Sequence, residues 1–288
     1  MERAFDLVLA TVGRFSELDA FLHSLTLQEY KNFTCIIVDQ NSDEHFLLPL
    51  LEKYGKTLTI VYLRSPKGLS RARNVGLKHC TGDVVCFPDD DCLYPPGLLK
   101  KVNATFDVEK SSVLVGKQIS LEAQPHRKTF WERNRMLARG QRNETVRSLF
   151  IGAPSITLFF TRESVARTGL FDESLGSGAG TPWGSGEDTD YVVRACKNGC
   201  VVRRCPQLEI RHPDVIHTAQ SFTKARAYGR GRGRLLRKHN SGIFFCAQNV
   251  ISPLLKGLLL LPNWTAAAYH CHMALGRVEG LFSTPDGL

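Results

Sequence analysis

Residues Asp83 to Tyr94 read Asp-Val-Val-Cys-Phe-Pro-Asp89-Asp90-Asp91-Cys-Leu-Tyr, an apolar run that ends in three consecutive carboxylates. A run of this length and type suits a buried central strand. In an open α/β sheet, ligands bind in the crevice beyond the carboxyl ends of the strands. Three acids this close repel one another unless a cation or solvent relieves them, and hard divalent ions take oxygen ligands of this kind. The cluster therefore points to Mg2+ or Mn2+ holding the phosphates of a substrate; the competing reading is a solvated acidic turn. A second acidic pair, Glu187-Asp188, follows a glycine-rich segment that starts at Gly176. After it, Tyr191, Val192, Ala195 and Cys196 share one helical face, and Gly199 is a natural stop. At a helix N-terminus the macrodipole keeps carboxylates ionised, as a general base must be. The glycines allow close approach to an acceptor and ordering on substrate binding. The plainer alternative is an N-cap with a flexible leader, served by Ser185 or Thr189.

The elements that must carry these acids alternate along the first hundred residues. Strands are expected at 5–10, 33–38, 58–63 and 84–87. Between them fall helices capped by Ser16 (apolar face Leu18, Phe21, Leu22, Leu25), over 44–53 with Gly55 as stop, and over 70–79. Such alternation predicts an α/β fold, a mixed and mostly parallel sheet flanked by helices. Parallel strands put their carboxyl ends on one edge. Thr11 and Arg14, Asp39 to Asp43, and Asp89 to Asp91 should therefore line a single crevice, suited to a nucleotide lying across the sheet. The first turn, Ala10-Thr-Val-Gly-Arg14, lacks G-x-G-x-x-G, and no Walker A sequence occurs, so a metal rather than a glycine loop should handle phosphate charge.

Formal net charge is +9, and much of it is local: Arg226 to His239 holds Arg226, Arg230, Arg232, Arg234, Arg237 and Lys238 with no acid. A second, diluted basic stretch runs from Arg127 to Arg147. Such patches attract anions, either nucleic acid, anionic head groups or a diphosphate. No helix-turn-helix, zinc-finger or RNP signature accompanies them, which disfavours nucleic acid. Tyr228-Gly-Arg230-Gly-Arg232-Gly-Arg234 suggests backbone and guanidinium groups wrapped round a phosphate-bearing ligand, or a basic arm on head groups. The nine cysteines are odd in number and form no C-x-x-C, as expected of buried thiols in a reducing compartment. Strand-like sequence starts too early for a signal peptide, so a cytoplasmic protein is expected. Past residue 243 the chain turns strongly apolar but is split by Pro253. It reads as an interfacial or re-entrant anchor, against an ordinary core-covering helical tail.

The ordered set Ala10-Thr11-x-x-Arg14, Val38-Asp39-Gln-Asn41-Ser-Asp43, Gly68-Leu-Ser-Arg71-Ala-Arg73-Asn74, Asp89-Asp90-Asp91, Phe171-Asp-Glu-x-Leu-Gly176 and Gly184-Ser-Gly-Glu187-Asp188-Thr-Asp190 resembles the family 2 glycosyltransferases of the GT-A fold. The resemblance covers residues 4 to about 217. It departs at Gln40 and Asn41, where the common pattern has Asp and Gly; Asn tolerates the left-handed conformation that Gly would supply.

The resemblance implies a GT-A domain over 1–220 and a basic, apolar extension over 221–288. It implies an inverting, metal-dependent transferase that moves a sugar from a nucleotide-sugar, a UDP-sugar by expectation, to a glycan or lipid-linked glycan at the cytoplasmic membrane face. Asp39 would bond the base, with Thr11 near base or ribose and Arg71 facing the diphosphate. Asp89 would hold ribose or metal-bound water, and Asp91 would ligate Mn2+ or Mg2+ directly. Arg14, Asn41 and Asp90 complete the donor set, with Arg230 and Arg232 as phosphate contacts. His212, preferred over His217, would complete the metal shell. Asp188 would take the acceptor proton, with Glu187 orienting it. Acceptor recognition is assigned to 118–147 by position, around Phe130, Trp131, Met136 and Leu137. The rival classes are a non-catalytic membrane-docking homologue and a nucleotidyltransferase that makes nucleotide-sugars.

Overall fold

The computed structural model describes residues 2–108, 111–122, 142–150, 152–214 and 221–283. His217 and the acceptor candidates Phe130, Trp131, Met136 and Leu137 lie outside the described residues. The chain forms two compact units. The first comprises Met1–Pro66, Ala72–Leu170 and Tyr191–Asp214; the second comprises Lys67–Arg71, Phe171–Asp190 and Val215–Leu288.

The first unit holds an eight-stranded sheet. Strands β1 (Phe5–Thr11), β2 (Phe33–Asp39), β3 (Ile60–Arg64) and β4 (Val84–Cys86) run parallel in the order β3-β2-β1-β4. Beyond β4 come four further strands, of which the sequence announces only the last in chain order, as a strand-like stretch over 200–210. They are β5 (Val113–Ser120), β6 (Arg142–Asn143), β7 (Leu158–Thr161) and β8 (Val202–His212), arranged β4-β7-β5-β8-β6. β7 is antiparallel to both β4 and β5, whereas β5 and β8 are parallel. The sheet is thus mixed and mostly parallel, as expected.

Alternation along β1 sorts the core. Leu7 and Leu9 join Leu18, Phe21, Leu22 and Leu25 of helix α1 (Phe15–Thr26) in one apolar cluster, which also takes in Leu50 and Tyr54 of α2 (Leu48–Tyr54). Val8 points to the other face, against α3 (Leu69–Leu77). There a Cβ on Gly76 would lie 2.4 Å from a Val8 methyl, so only glycine lets the helix this close. Covering both faces is what an all-apolar parallel strand requires. The first helix starts two residues earlier than a Ser16 cap would place it: Arg14 is its N-cap and makes no side-chain cap bond. Later helices of the chain are α4 (Leu98–Val108), α5 (Val146–Leu149), α6 (Arg162–Thr168) and α7 (Glu187–Lys197).

The second unit is built on α8 (Ser221–Lys238), α9 (Ile243–Leu259) and α10 (Trp264–Phe282). The Gly-Arg run, expected as a phosphate-wrapping segment, lies inside α8. Its glycines are buried: Gly229 and Gly233 pack against Gly276 and Gly280 of α10, and Gly231 against Ser185. A Cβ on Gly233 would meet the Arg277 carbonyl at 2.2 Å, and one on Gly280 the Arg230 carbonyl at 2.0 Å. Backbone therefore packs on backbone, which only glycine permits. The arginines alternating with these glycines are engaged by the same helices. Arg226 and Arg230 both bond Glu279, Arg230 at 2.6 Å, and Arg232 bonds Asn249 at 2.9 Å. Burial, with Arg277 nearby, pulls the Arg232 guanidinium down to about 10.

Candidate active site

The acidic loop begins where β4 ends. Phe87, Cys92 and Tyr94 are buried, so the loop is pinned by side chains before and after the three acids. Two isolated bridges complete the pinning, Ala10 with Asp89 and Leu93 with Arg211. In the second, Leu93 N donates to Arg211 O at 2.8 Å and Arg211 N returns to Leu93 O at 3.1 Å. That bridge explains how a residue over a hundred positions away reaches the loop. His212 follows Arg211, and its Nε2 stands 3.3 Å from Asp91 Oδ1.

Each acid meets a cation. Arg73, fully buried on α3, donates to Asp89 Oδ1 at 3.2 Å and to Ser155 Oγ at 2.7 Å. Arg14 bonds Asp90 Oδ1 at 3.0 Å and also Asp91. Thr11, at the end of β1, donates to Asp90 Oδ2 at 2.8 Å. The neighbouring carboxyls are pushed apart in acidity. Burial raises Asp90 despite Thr11 and Arg14. Asp91 is less buried; its hydrogen bonds from His212 and Arg14 outweigh the desolvation and bring it to about 2. The same bond to Asp91 raises His212 against its own burial. Asp91 is therefore the carboxylate held ionised, as a ligand to a cation must be.

One donor atom each from Asp89, Asp91 and His212 lies within 4.8 Å of the other two. Two carboxylate oxygens and one imidazole nitrogen suit Mn2+, and Mg2+ with more of its water retained. The His212 Nδ1 lies 2.7 Å from the Pro213 carbonyl, which orients the ring and leaves Nε2 toward the acids.

A second cluster joins the ends of β1, β2 and β3. The buried Asp39 carboxylate accepts from Asn41 N at 2.8 Å, from Asn41 Nδ2 at 2.7 Å and from Tyr62 OH at 2.8 Å. Burial, then the bond to Asp39, lifts the Tyr62 phenol to about 12. Asn41 Oδ1 in turn accepts from Gly13 N at 2.7 Å. The expected left-handed turn at Asn41 is not found; among the described non-glycine residues only Asn240 has positive φ. The amide side chain of Asn41 ties the first loop to the second instead.

In the second unit, Glu187 and Asp188 open α7, Glu187 buried and Asp188 half-buried. The glycine-rich leader is anchored by the buried Trp183, which donates to Ser283 Oγ at 3.0 Å and lies under Arg234. One turn into the helix, the fully buried Asp190 pairs with Lys238 at 2.8 Å and His239 at 3.0 Å. Lys238 also reaches Asp172 at 2.6 Å. Arg71, in the same unit, is held by Glu173 at 3.2 Å.

Sequence reasoning assigned no role to Arg73 or Ser155. The signal for Arg73 was present: it shares a helical face with Gly76 and Leu77, so a cation falls where apolar residues should. Ser155 carried none, because its 3-10 turn (Ser155–Thr157) lies in a stretch without periodicity.

The mixed, mostly parallel sheet flanked by helices is that of the GT-A fold, and solved structures agree. TarS 1–349 of S. aureus in complex with UDP-GlcNAc superposes with a TM-score of 0.58 at 16% identity, covering 96% of this chain and 91% of that one. The mannosyltransferase PcManGT from Pyrobaculum calidifontis, in complex with GDP-Man and Mn2+, gives 0.63 at 14% identity, covering 98% and 88%. At such identity the likeness establishes the fold alone. The sequence profile "Glycosyl transferase family 2" matches residues 6–165, and the chain belongs to that family. An uncharacterized glycosyltransferase of Haemophilus influenzae is 33% identical over 96 residues, spanning 33% of this chain and 32% of that relative. Amylovoran biosynthesis glycosyltransferase AmsB of Erwinia amylovora is 35% identical over 92 residues, 31% of either chain. The matches thus reach about a third of the curated relatives' length.

Proposed function

We propose that the protein is an inverting glycosyltransferase that takes a sugar from a nucleotide-sugar, by preference a UDP-sugar, with Mn2+ or Mg2+. The observation that carries this reading is the convergence of Asp89, Asp91 and His212 at the carboxyl end of β4 in a family 2 chain. Asp91 and His212 would hold the metal, with Asp89 as third ligand or as holder of a bound water. Once bound, the metal offsets the charge that develops on the departing nucleoside diphosphate. Asp39, Asn41 and Thr11 contact base and ribose, and Arg71 faces the diphosphate. Arg14 and Arg73 keep the neighbouring acids in place, so that binding does not have to organise them. Asp188 accepts the proton of the acceptor hydroxyl as it attacks the anomeric carbon, and Glu187 orients that step. The acceptor is a glycan or lipid-linked glycan, met by peripheral contact with the cytoplasmic membrane face.

A panel of UDP- and GDP-sugars, scored by nucleoside diphosphate release with and without manganese, tests the reading. Manganese-dependent release from one donor is expected. Release from none of them, or full release after EDTA, overturns it.

A further inference from the structure

The surface of α9 carries a message separate from the donor site. Seven of its exposed positions, Ile243, Phe244, Ala247, Ile251, Leu254, Leu255 and Leu258, fall on one arc of the helix, and Leu259 continues it past the exposed Gln248. Phe244 is 87% exposed, Ile243 79% and Leu259 83%, values far from those of a covered face. The opposite side, with Phe245, Asn249, Pro253 and Gly257, is buried, and Gly257 approaches His270 and Cys271 of α10. Trp264, at the start of α10, is also 74% exposed. Soluble monomers rarely show a contiguous apolar face of this kind without a partner for it.

Charge selects among the possible occupants. No carboxylate occurs from Ser221 to Val278, while the exposed Lys256 follows Leu255 on the same helix. A second copy docked on this face would bring Lys256 against a surface with no counter-charge. A layer of anionic head groups supplies that charge and accepts the apolar arc beneath it. Spanning is excluded by length: no described helix is long and apolar enough to cross a membrane, and the 17 residues of α9 reach only about 25 Å.

We infer that α9 lies in the interface of an anionic bilayer, with the Ile243–Leu259 face among the acyl chains and Lys256 at head-group level. This rests on the peripheral contact proposed above and gives it a surface and a lipid class. The test needs neither donor nor acceptor, so its failure leaves the sugar-transfer reading standing.

Co-sedimentation of the full chain with phosphatidylglycerol–phosphatidylethanolamine vesicles and with phosphatidylcholine vesicles decides the matter. Wild type should bind the anionic vesicles and bind phosphatidylcholine at least severalfold more weakly. Phe244→Ser with Leu258→Ser should lower anionic partitioning by about tenfold or more, with an unchanged melting temperature, since each large apolar side chain is worth roughly that factor. Lys256→Glu should reduce binding to anionic vesicles only. Leu27→Ser, exposed on the first unit, should change nothing. No vesicle binding by wild type, equal binding by the double variant, or a dimer that the double variant dissolves would each overturn the inference.

Discussion

Basic side chains meet carboxylates in both units, and the meetings beyond β4 end differently from those among the C-terminal helices. In the second unit the pairs close on themselves: Arg226 and Arg230 share Glu279, and Lys238 bridges Asp172 and Asp190. Backbone packs on backbone at Gly233 and Gly280, and the pairs of Arg226 and Arg230 with Glu279 tie the same two helices together. Beyond β4 the acids are paired as well, yet Asp89, Asp91 and His212 still bring one donor atom each within 4.8 Å of the other two. Abundance of charge does not distinguish structure from chemistry; surplus ligand atoms converging on one point do. A basic glycine-alternating run looked the more exotic signal in the sequence, and it is the one that packing absorbs.

Several changes would break or sharpen that contrast. Asp91→Asn should lower turnover by about a thousandfold in a nucleoside diphosphate release assay, because several kcal/mol of leaving-group stabilisation go with it. Asp188→Asn should cost about a hundredfold or more in turnover and leave nucleoside diphosphate affinity unchanged by calorimetry. In the helical unit the readout should switch from rate to stability. Gly280→Ala places a methyl 2.0 Å from a carbonyl oxygen and should cost about 1–3 kcal/mol in denaturant unfolding, with donor KM unchanged. A smaller effect is expected of acid. Asp172 is held below the usual carboxylate range because bonds from Lys238 and Ser174 outweigh its burial. A depressed folded value contributes stability above the unfolded pKa of about 3.9 and loses it as pH falls through the folded value. The stability gap between wild type and Asp172→Asn should therefore close below about pH 4; a gap that widens there would contradict the pairing.

The part of the fold legible in the sequence is the part with regular repeats. β1 to β4 and the helices between them follow from apolar runs and periodicity, because parallel strands buried on both faces leave that imprint. β7 and β6 are four and two residues long, too short to show a period, and β5 loses its period where Lys117 and Gln118 are exposed, whereas β8 is legible as a strand-like stretch over 200–210. Asp89 and Asp91 were legible as a cluster, and His212 by resemblance alone. What brings His212 there is the Leu93–Arg211 bridge, a long-range pairing with no local signal. The Gly-Arg run misled for a related reason. Glycine reads locally as flexibility, but here it marks where a second helix must come close, and that partner lies some forty residues downstream.

The central claim is that Asp89, Asp91 and His212 hold a divalent cation together with a nucleoside diphosphate. Electron paramagnetic resonance titration of Mn2+ in the presence of UDP, then GDP, tests it most directly. Wild type should take up a single tight equivalent with one of the two nucleotides, and Asp91→Asn and His212→Ala should each weaken it by about tenfold or more. Equal Mn2+ affinity in wild type and both variants would contradict the account.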